Sequence, residues 1–228
     1  RVRTKTFPRL LEDMPTFLGV PVALSPKDLE GADVVIIGAP FAAGWGDKYS
    51  GVDKSLWLAG PKRVRQQSIR YTGYVQDFDL DIFDHLKVVD YGDAAIPPEA
   101  NYVATVENIL RAQAAVEVKV NQALDAGAVP SVIGQNSPPG SYAIAKPIGE
   151  RAQGNVGMIS LDTHWDSRPM DHATADAPSG RRVFPPTATP ARGMASPPAT
   201  HLPSRSVAAS PRATALRWSL LSNSEACT

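Results

Sequence analysis

Four short apolar runs punctuate the first three quarters of the chain. Asp33-Val34-Val35-Ile36-Ile37-Gly38 is a continuous β-branched run ended by Gly38 and Pro40, the pattern of a strand buried on both faces. Leu86-Lys87-Val88-Val89-Asp90-Tyr91 is a second such run, and Ala128-Val129-Pro130-Ser131-Val132-Ile133-Gly134 a third, with Pro130 tolerable near its start. Val156-Gly157-Met158-Ile159-Ser160-Leu161-Asp162 is a fourth. Between the second and third, Val103, Val106, Ile109, Leu110, Ala114, Val116, Val120 and Leu124 recur at steps compatible with one helical face. They predict an amphipathic helix from Tyr102 to Ala126, stopped by Gly127. Gly60-Pro61 opens a short helix through Gln67, and another is expected over Ser141 to Arg151, where Pro147 argues for a kink or a late start.

Strands and helices alternating at this spacing require βαβ crossovers, hence an α/β fold with a parallel sheet between helical layers. Ligands of such sheets bind beyond the carboxyl ends of the strands. Chemistry is therefore expected just after Ile37, Tyr91, Ile133 and Leu161.

The pattern fades beyond Pro178, and there the charge changes too. The 228 residues carry 23 basic and 23 acidic side chains, so no global field draws the chain to nucleic acid or an anionic membrane. The balance hides a division: after Pro178 the six basic residues are all arginines and Glu225 is the sole acid, leaving a body of 17 basic and 22 acidic residues. Residues 1–30 read as an N-terminal extension, 31–178 as the α/β body and 179–228 as a tail rich in Pro, Ala, Ser and Arg. Such a tail buries too little apolar surface to offset its chain entropy, and is expected to be disordered. A basic arm for RNA or acidic partners, a Pro-rich linker, and out-of-frame translation of a GC-rich gene all compete for it. The third accounts at once for the missing Lys and Asp and the abrupt switch. The first residue is not Met, as expected of a processed chain or a fragment. No apolar run nears the ~20 residues that span a bilayer, and the single cysteine, Cys227, fits a reducing cytosol, so a cytoplasmic location is expected.

The densest candidate chemistry follows the fourth run, in Asp162-Thr163-His164-Trp165-Asp166. Along an extended segment, alternate positions share a side, so Asp162, His164 and Asp166 converge. Carboxylate oxygen with imidazole nitrogen suits Mn²⁺, Ni²⁺ or Zn²⁺. In the alternative, Asp162 caps a turn, His164 packs and Asp166 is solvated.

This segment resembles the Asp-x-His-x-Asp metal motif of the arginase and agmatinase (ureohydrolase) family. Ile36-Ile37-Gly38-Ala39-Pro40 is similar to that family's first strand and Gly-x-Pro loop, and Gly60-Pro61-Lys62-Arg63-Val64-Arg65 to its Gly-Pro-x-x-Ile-Arg segment. Asp90-Tyr91-Gly92-Asp93 resembles its Asp-x-Gly-Asp turn, and Val132-Ile133-Gly134 the strand leading to its first metal loop. Trp165 and the long loop from Phe41 to Leu58 look closer to the guanidine-hydrolysing branches, including two-subunit metformin hydrolases. The resemblance implies a three-layer αβα sandwich with a central parallel sheet, incomplete here on its C-terminal side. It also implies hydrolysis of a small guanidino compound to urea and an amine at a dinuclear Mn²⁺ or Ni²⁺ centre. Asp162 would bridge the ions, Asp166 bind the first and His164 the second. Homo- or hetero-oligomers are expected.

The chain also departs from the motif. The family's first metal loop reads Gly-Gly-Asp-His-Ser, whereas Gly134-Gln135-Asn136-Ser137-Pro138-Pro139-Gly140 makes a longer loop with Ser137 at the histidine position. A neutral hydroxyl is a poor substitute for imidazole. The later Asp-x-Asp pair is absent, since no aspartate follows Asp176. Each ion would keep two protein ligands, short of the three an open catalytic site needs. Three readings follow: a hydrolase-lineage chain with an incomplete site, a non-catalytic partner of an active paralogue, and an inactive truncated product. His172, beside Asp171, is a candidate substrate residue, with a surface histidine as the alternative. His85 reads as structural or exposed. Asp47, Lys48 and Asp53 would line a substrate mouth or be solvated. Ser141 forms no nucleophile elbow.

Overall fold

The computed structural model describes residues 7–42, 53–101, 105–134, 137–152 and 159. The chain divides into two units, Arg1–Pro185 and Pro186–Thr228, and all described residues lie in the first. Their strands are β1 (Arg9–Leu11), β2 (Met14–Pro15), β3 (Val34–Ala39), β4 (Tyr74–Val75), β5 (Leu80–Asp81), β6 (Val88–Asp93) and β7 (Val129–Gly134). Their α-helices are α1 (Lys54–Leu58), α2 (Gly60–Ser68), α3 (Val106–Asp125) and α4 (Ser137–Arg151).

Three strands form the central sheet in the order β6-β3-β7, both pairings parallel. The chain leaves β3 in one direction to reach β6, then passes back over β3 to reach β7. Crossovers of one hand running in opposite directions place their helices on opposite faces. The side chains obey this: Val35, Ile37 and Ala39 join Val116, Val120 and Ala123 of α3 in one buried cluster, while Gly38, on the alternate face, lies against Arg65 of α2. The result is the expected α/β arrangement, a parallel sheet between helical layers. Each fully buried Val or Ile of that cluster contributes roughly 1.5–3 kcal/mol.

The first three expected strands are present, shifted by one or two residues. Pro130 pairs with Val35 and is tolerated because β7, among the described residues, pairs on one side only. Of the fourth expected strand only Ile159 is described. The rest of that expected strand lies outside the described residues.

Two helix starts need correction. The long helix begins at Val106 instead of Tyr102, because Thr105 is extended and its side chain accepts from the Asn108 N–H, a standard N-cap. The last helix begins at Ser137 instead of Ser141, with Pro138 and Pro139 in a first turn whose N–H groups need no helical acceptor. It continues through Pro147. Lysine and arginine tie α4 to α3: Lys146 donates to Glu117 (2.5 Å), and Arg151 pairs with Asp125.

The N-terminal residues are built into the same unit. Ala23 and Leu29 lie in the main core cluster. Ala23 N–H donates to the Asp90 carbonyl and Asp90 N–H to the Pro21 carbonyl, both at 2.9 Å, so residues 21–23 cover the outer edge of β6. No helix among the described residues is long and apolar enough to cross a membrane.

Candidate functional site

β3 and β6 end side by side at the carboxyl edge of the sheet, and there their register slips. Ile36 lies opposite Asp90 but Gly38 opposite Asp93, so Tyr91 and Gly92 together face Ile37. Such a bulge needs one residue in an unusual conformation, and Gly92 supplies it with φ +70°. In a regular strand Asp90 and Asp93 would point to opposite faces. The extra residue turns both carboxylates to the same one.

Arg65 of α2 enters between them. Its Nε and Nη2 donate to Asp90 Oδ2 and Oδ1 at 2.8 and 2.9 Å, and its Nη1 donates to Asp93 Oδ1 at 2.5 Å. The backbone N–H groups of Phe17 (2.8 Å) and Gly92 (3.0 Å) also donate to the Asp90 carboxylate. Arg65 and Asp90 are fully buried, and Asp93 is partly exposed. Burial by itself would push the guanidinium pKa down, but hydrogen bonding and charge from Asp90, then from Asp93, outweigh it and the net shift is upward. Arg65 is thus a permanent buried cation with a bidentate partner, the geometry for which arginine is suited and lysine is not.

Lys119 of α3 closes the other side of the bulge. Its Nζ donates to the Tyr91 carbonyl and lies 4.0 Å from the centre of the Tyr91 ring. Burial pushes the ammonium pKa down, with Asp93 opposing. The unfolded chain, with its ordinary lysine, therefore binds more protons in the interval between the lowered folded value and about 10.4, and stability contributed through Lys119 rises with pH across that interval. Chemical unfolding should show the wild-type chain gaining on Lys119→Met as pH climbs through this range. Parallel profiles for the two chains would refute the assignment.

Beyond β3, Asn101 Oδ1 accepts from the Ala42 N–H at 2.8 Å and is buried, which fixes the segment leaving the strand. Beyond β7, only Gln135 and Asn136 separate Gly134 from α4, so the long loop expected here is a short one. Ser137 is the first residue of that helix.

The expected metal residues Asp162, His164 and Asp166, and the expected substrate residue His172, lie outside the described residues, as do Asp47 and Lys48. Among the described residues no group of three or more His, Cys, Asp or Glu side chains could hold a metal. Asp53 has a local role: its carboxylate accepts from the Ser55 N–H (2.9 Å) and hydroxyl (2.6 Å) and caps α1. His85 is exposed at the end of a short 3₁₀ turn. Sequence reasoning took Arg65, Asp90 and Asp93 as landmarks and missed that they form one cluster. A signal was present in Val88-Val89-Asp90, where a charge interrupts a run otherwise fit for burial and so requires a cation partner.

The sequence pattern of the Arginase family matches residues 32–193. The chain is 28% identical over 163 residues to guanidinobutyrase of Pseudomonas aeruginosa, covering 68% of this chain and 45% of that protein. It is 32% identical over 82 residues to agmatinase of Pyrococcus horikoshii, covering 36% and 26%. Among solved structures, proclavaminate amidino hydrolase from Streptomyces clavuligerus superposes with a TM-score of 0.58 at 24% identity, over 73% of this chain and 50% of that one. The chain thus spans half or less of the length of these proteins. The family match covers well over half of the sequence and includes the β3, Arg65, Asp90-Asp93 and β7 landmarks, and on it the chain belongs to the arginase family.

Proposed function

We propose that this chain derives from hydrolases of small guanidino compounds, of the guanidinobutyrase and agmatinase type, and that its own metal site is incomplete. The family match over residues 32–193, which contains the Asp162-Thr163-His164-Trp165-Asp166 motif, carries the reading. In this proposal Asp162, His164 and Asp166 are ligands for Mn²⁺ or Ni²⁺. When bound, such ions would acidify water and polarise the guanidino group. With Ser137 at the position of an imidazole, the first ion loses its nitrogen ligand, and a neutral hydroxyl is too weak a substitute to hold it tightly. The chain alone is therefore expected not to release urea. A second role, as a non-catalytic subunit of an assembly with an active paralogue, is favoured by Ser137, which opens α4 directly beyond the carboxyl end of β7.

Mn²⁺ binding followed by electron paramagnetic resonance, together with urea release from agmatine, guanidinobutyrate, guanidine and metformin, tests both parts. The expected result is weak Mn²⁺ binding that Asp162→Ala and His164→Ala abolish and Ser137→His strengthens, without urea above a protein-free control. Urea release by the wild-type chain would overturn the incomplete site. Mn²⁺ binding indifferent to all three substitutions would overturn the ligand assignment.

A further inference from the structure

From Thr16 to Ala23 the chain meets the central sheet at a single residue, Asp90. Phe17 N–H donates to its carboxylate (2.8 Å), Ala23 N–H to its carbonyl and its own N–H to the Pro21 carbonyl (both 2.9 Å), and Val22 pairs with it as an isolated parallel bridge. Asp90 Oδ2 accepts from Phe17 N–H and from Arg65 Nε at once. The N-terminal segment and α2 are therefore fastened at the same oxygen. On the α2 side, the Ser68 hydroxyl accepts from Leu18 N–H at 2.7 Å and donates to the Arg65 carbonyl at 2.8 Å.

Between these fastenings the backbone is strained. Leu18 lies at φ +51° and ψ +13°, and Gly19 at φ +75°. A leucine in the left-handed region is disfavoured because its Cβ crowds the following carbonyl oxygen. It persists only where its surroundings hold it. Here the holders are its own hydrogen bond to Ser68 and that of Phe17 to Asp90.

We propose that residues 16–23 form a strained strap, fastened at Asp90 and Ser68, which opens as one unit and uncovers the outer edge of β6 while the sheet stays folded. Pairing through one residue instead of a ladder makes its opening less costly than unfolding the sheet, and the strain at Leu18 is released when it opens. Closed, it shields an edge whose N–H and C=O groups would otherwise be free to pair with another strand. The inference goes beyond guanidino chemistry and does not depend on a bound metal.

Hydrogen exchange of the full chain, read amide by amide by nuclear magnetic resonance, tests it. The Phe17, Leu18 and Ala23 amides should share one opening equilibrium, about tenfold or more above that of the β3 amides. Ser68→Ala should raise opening at Phe17 and Ala23 about fivefold, although neither amide is bonded to Ser68. In Asp90→Asn the side-chain NH₂ faces two donors whichever way it turns: Phe17 N–H and Arg65 Nε at one position, Arg65 Nη2 and Gly92 N–H at the other. The Ala23 amide keeps its carbonyl acceptor in that variant, yet should open about tenfold more relative to β3. Leu18→Gly should open about fivefold less than Leu18→Ala, since both lose the leucine packing and only glycine is at ease at this φ. Global unfolding would raise β3 exchange equally, so the ratio to β3 separates it from strap opening. Strap amides that exchange only together with β3 would overturn the proposal. So would an Ala23 amide indifferent to both Ser68→Ala and Asp90→Asn, or equal opening in the two Leu18 variants.

Discussion

Arg65→Met is expected to destabilise the chain by about 3–5 kcal/mol, the scale for removing one partner from a buried ion pair. The loss is not the Coulomb energy of the pair. Asp90 would remain fully buried with only the N–H groups of Phe17 and Gly92 as donors, and a carboxylate stranded in that way is more costly than the pair was favourable. Asp93, being partly exposed, can turn to water and adds less. Arg65→Lys should recover little, because an ammonium cannot donate to both oxygens of Asp90 while reaching Asp93. Arg65→Met/Asp90→Asn should be more stable than Arg65→Met alone, since the neutral amide removes the stranded charge. Urea unfolding followed by far-ultraviolet circular dichroism measures all four. An Arg65→Met chain within about 1 kcal/mol of wild type would show that the cluster does not hold α2 to the sheet.

How much of this was legible in the sequence depended on the range of the interaction. The strands β3, β6 and β7 were readable because a parallel strand covered on both faces is written as one unbroken apolar run, a purely local signal. The long helix was readable from its stripe, but its start was not, since the cap at Thr105 is one hydrogen bond that the apolar spacing cannot report. The hairpin β4–β5 was invisible: its strands are two residues each, and its aromatic side chains face solvent, so no buried period marks it. Furthest from view was the Arg65 cluster. It exists because a bulge at Tyr91-Gly92 rotates Asp93 to the face of Asp90, and a register slip between two strands 54 residues apart leaves no trace in the pattern of either. The metal motif was the reverse case, conspicuous as a string of residue types, with its geometry outside the described residues.

The same register slip makes Gly38 the most constrained backbone position at this edge of the sheet. A Cβ built there would lie 2.8 Å from Asp93 Cγ and 2.9 Å from Arg65 Nη1, closer than carbon approaches either atom without displacement. Gly38 has an ordinary backbone conformation, so the obstacle to alanine is the space that the ion pair occupies. Gly38→Ala should therefore cost about 1–3 kcal/mol, the overpacking scale, less whatever Asp93 recovers by turning toward water. The cause can be separated from a general intolerance of the strand. Asp93→Ala removes the carboxylate that blocks the methyl group, so Gly38→Ala should be milder in an Asp93→Ala background than in wild type. The expected coupling is about 1–3 kcal/mol, as for residues in direct contact. Strict additivity in the urea unfolding of the four chains would mean that the methyl group strikes something other than Asp93. The obstacle would then be Arg65 Nη1, 2.9 Å from the same Cβ position, with Asp93 acting only as the partner of that guanidinium.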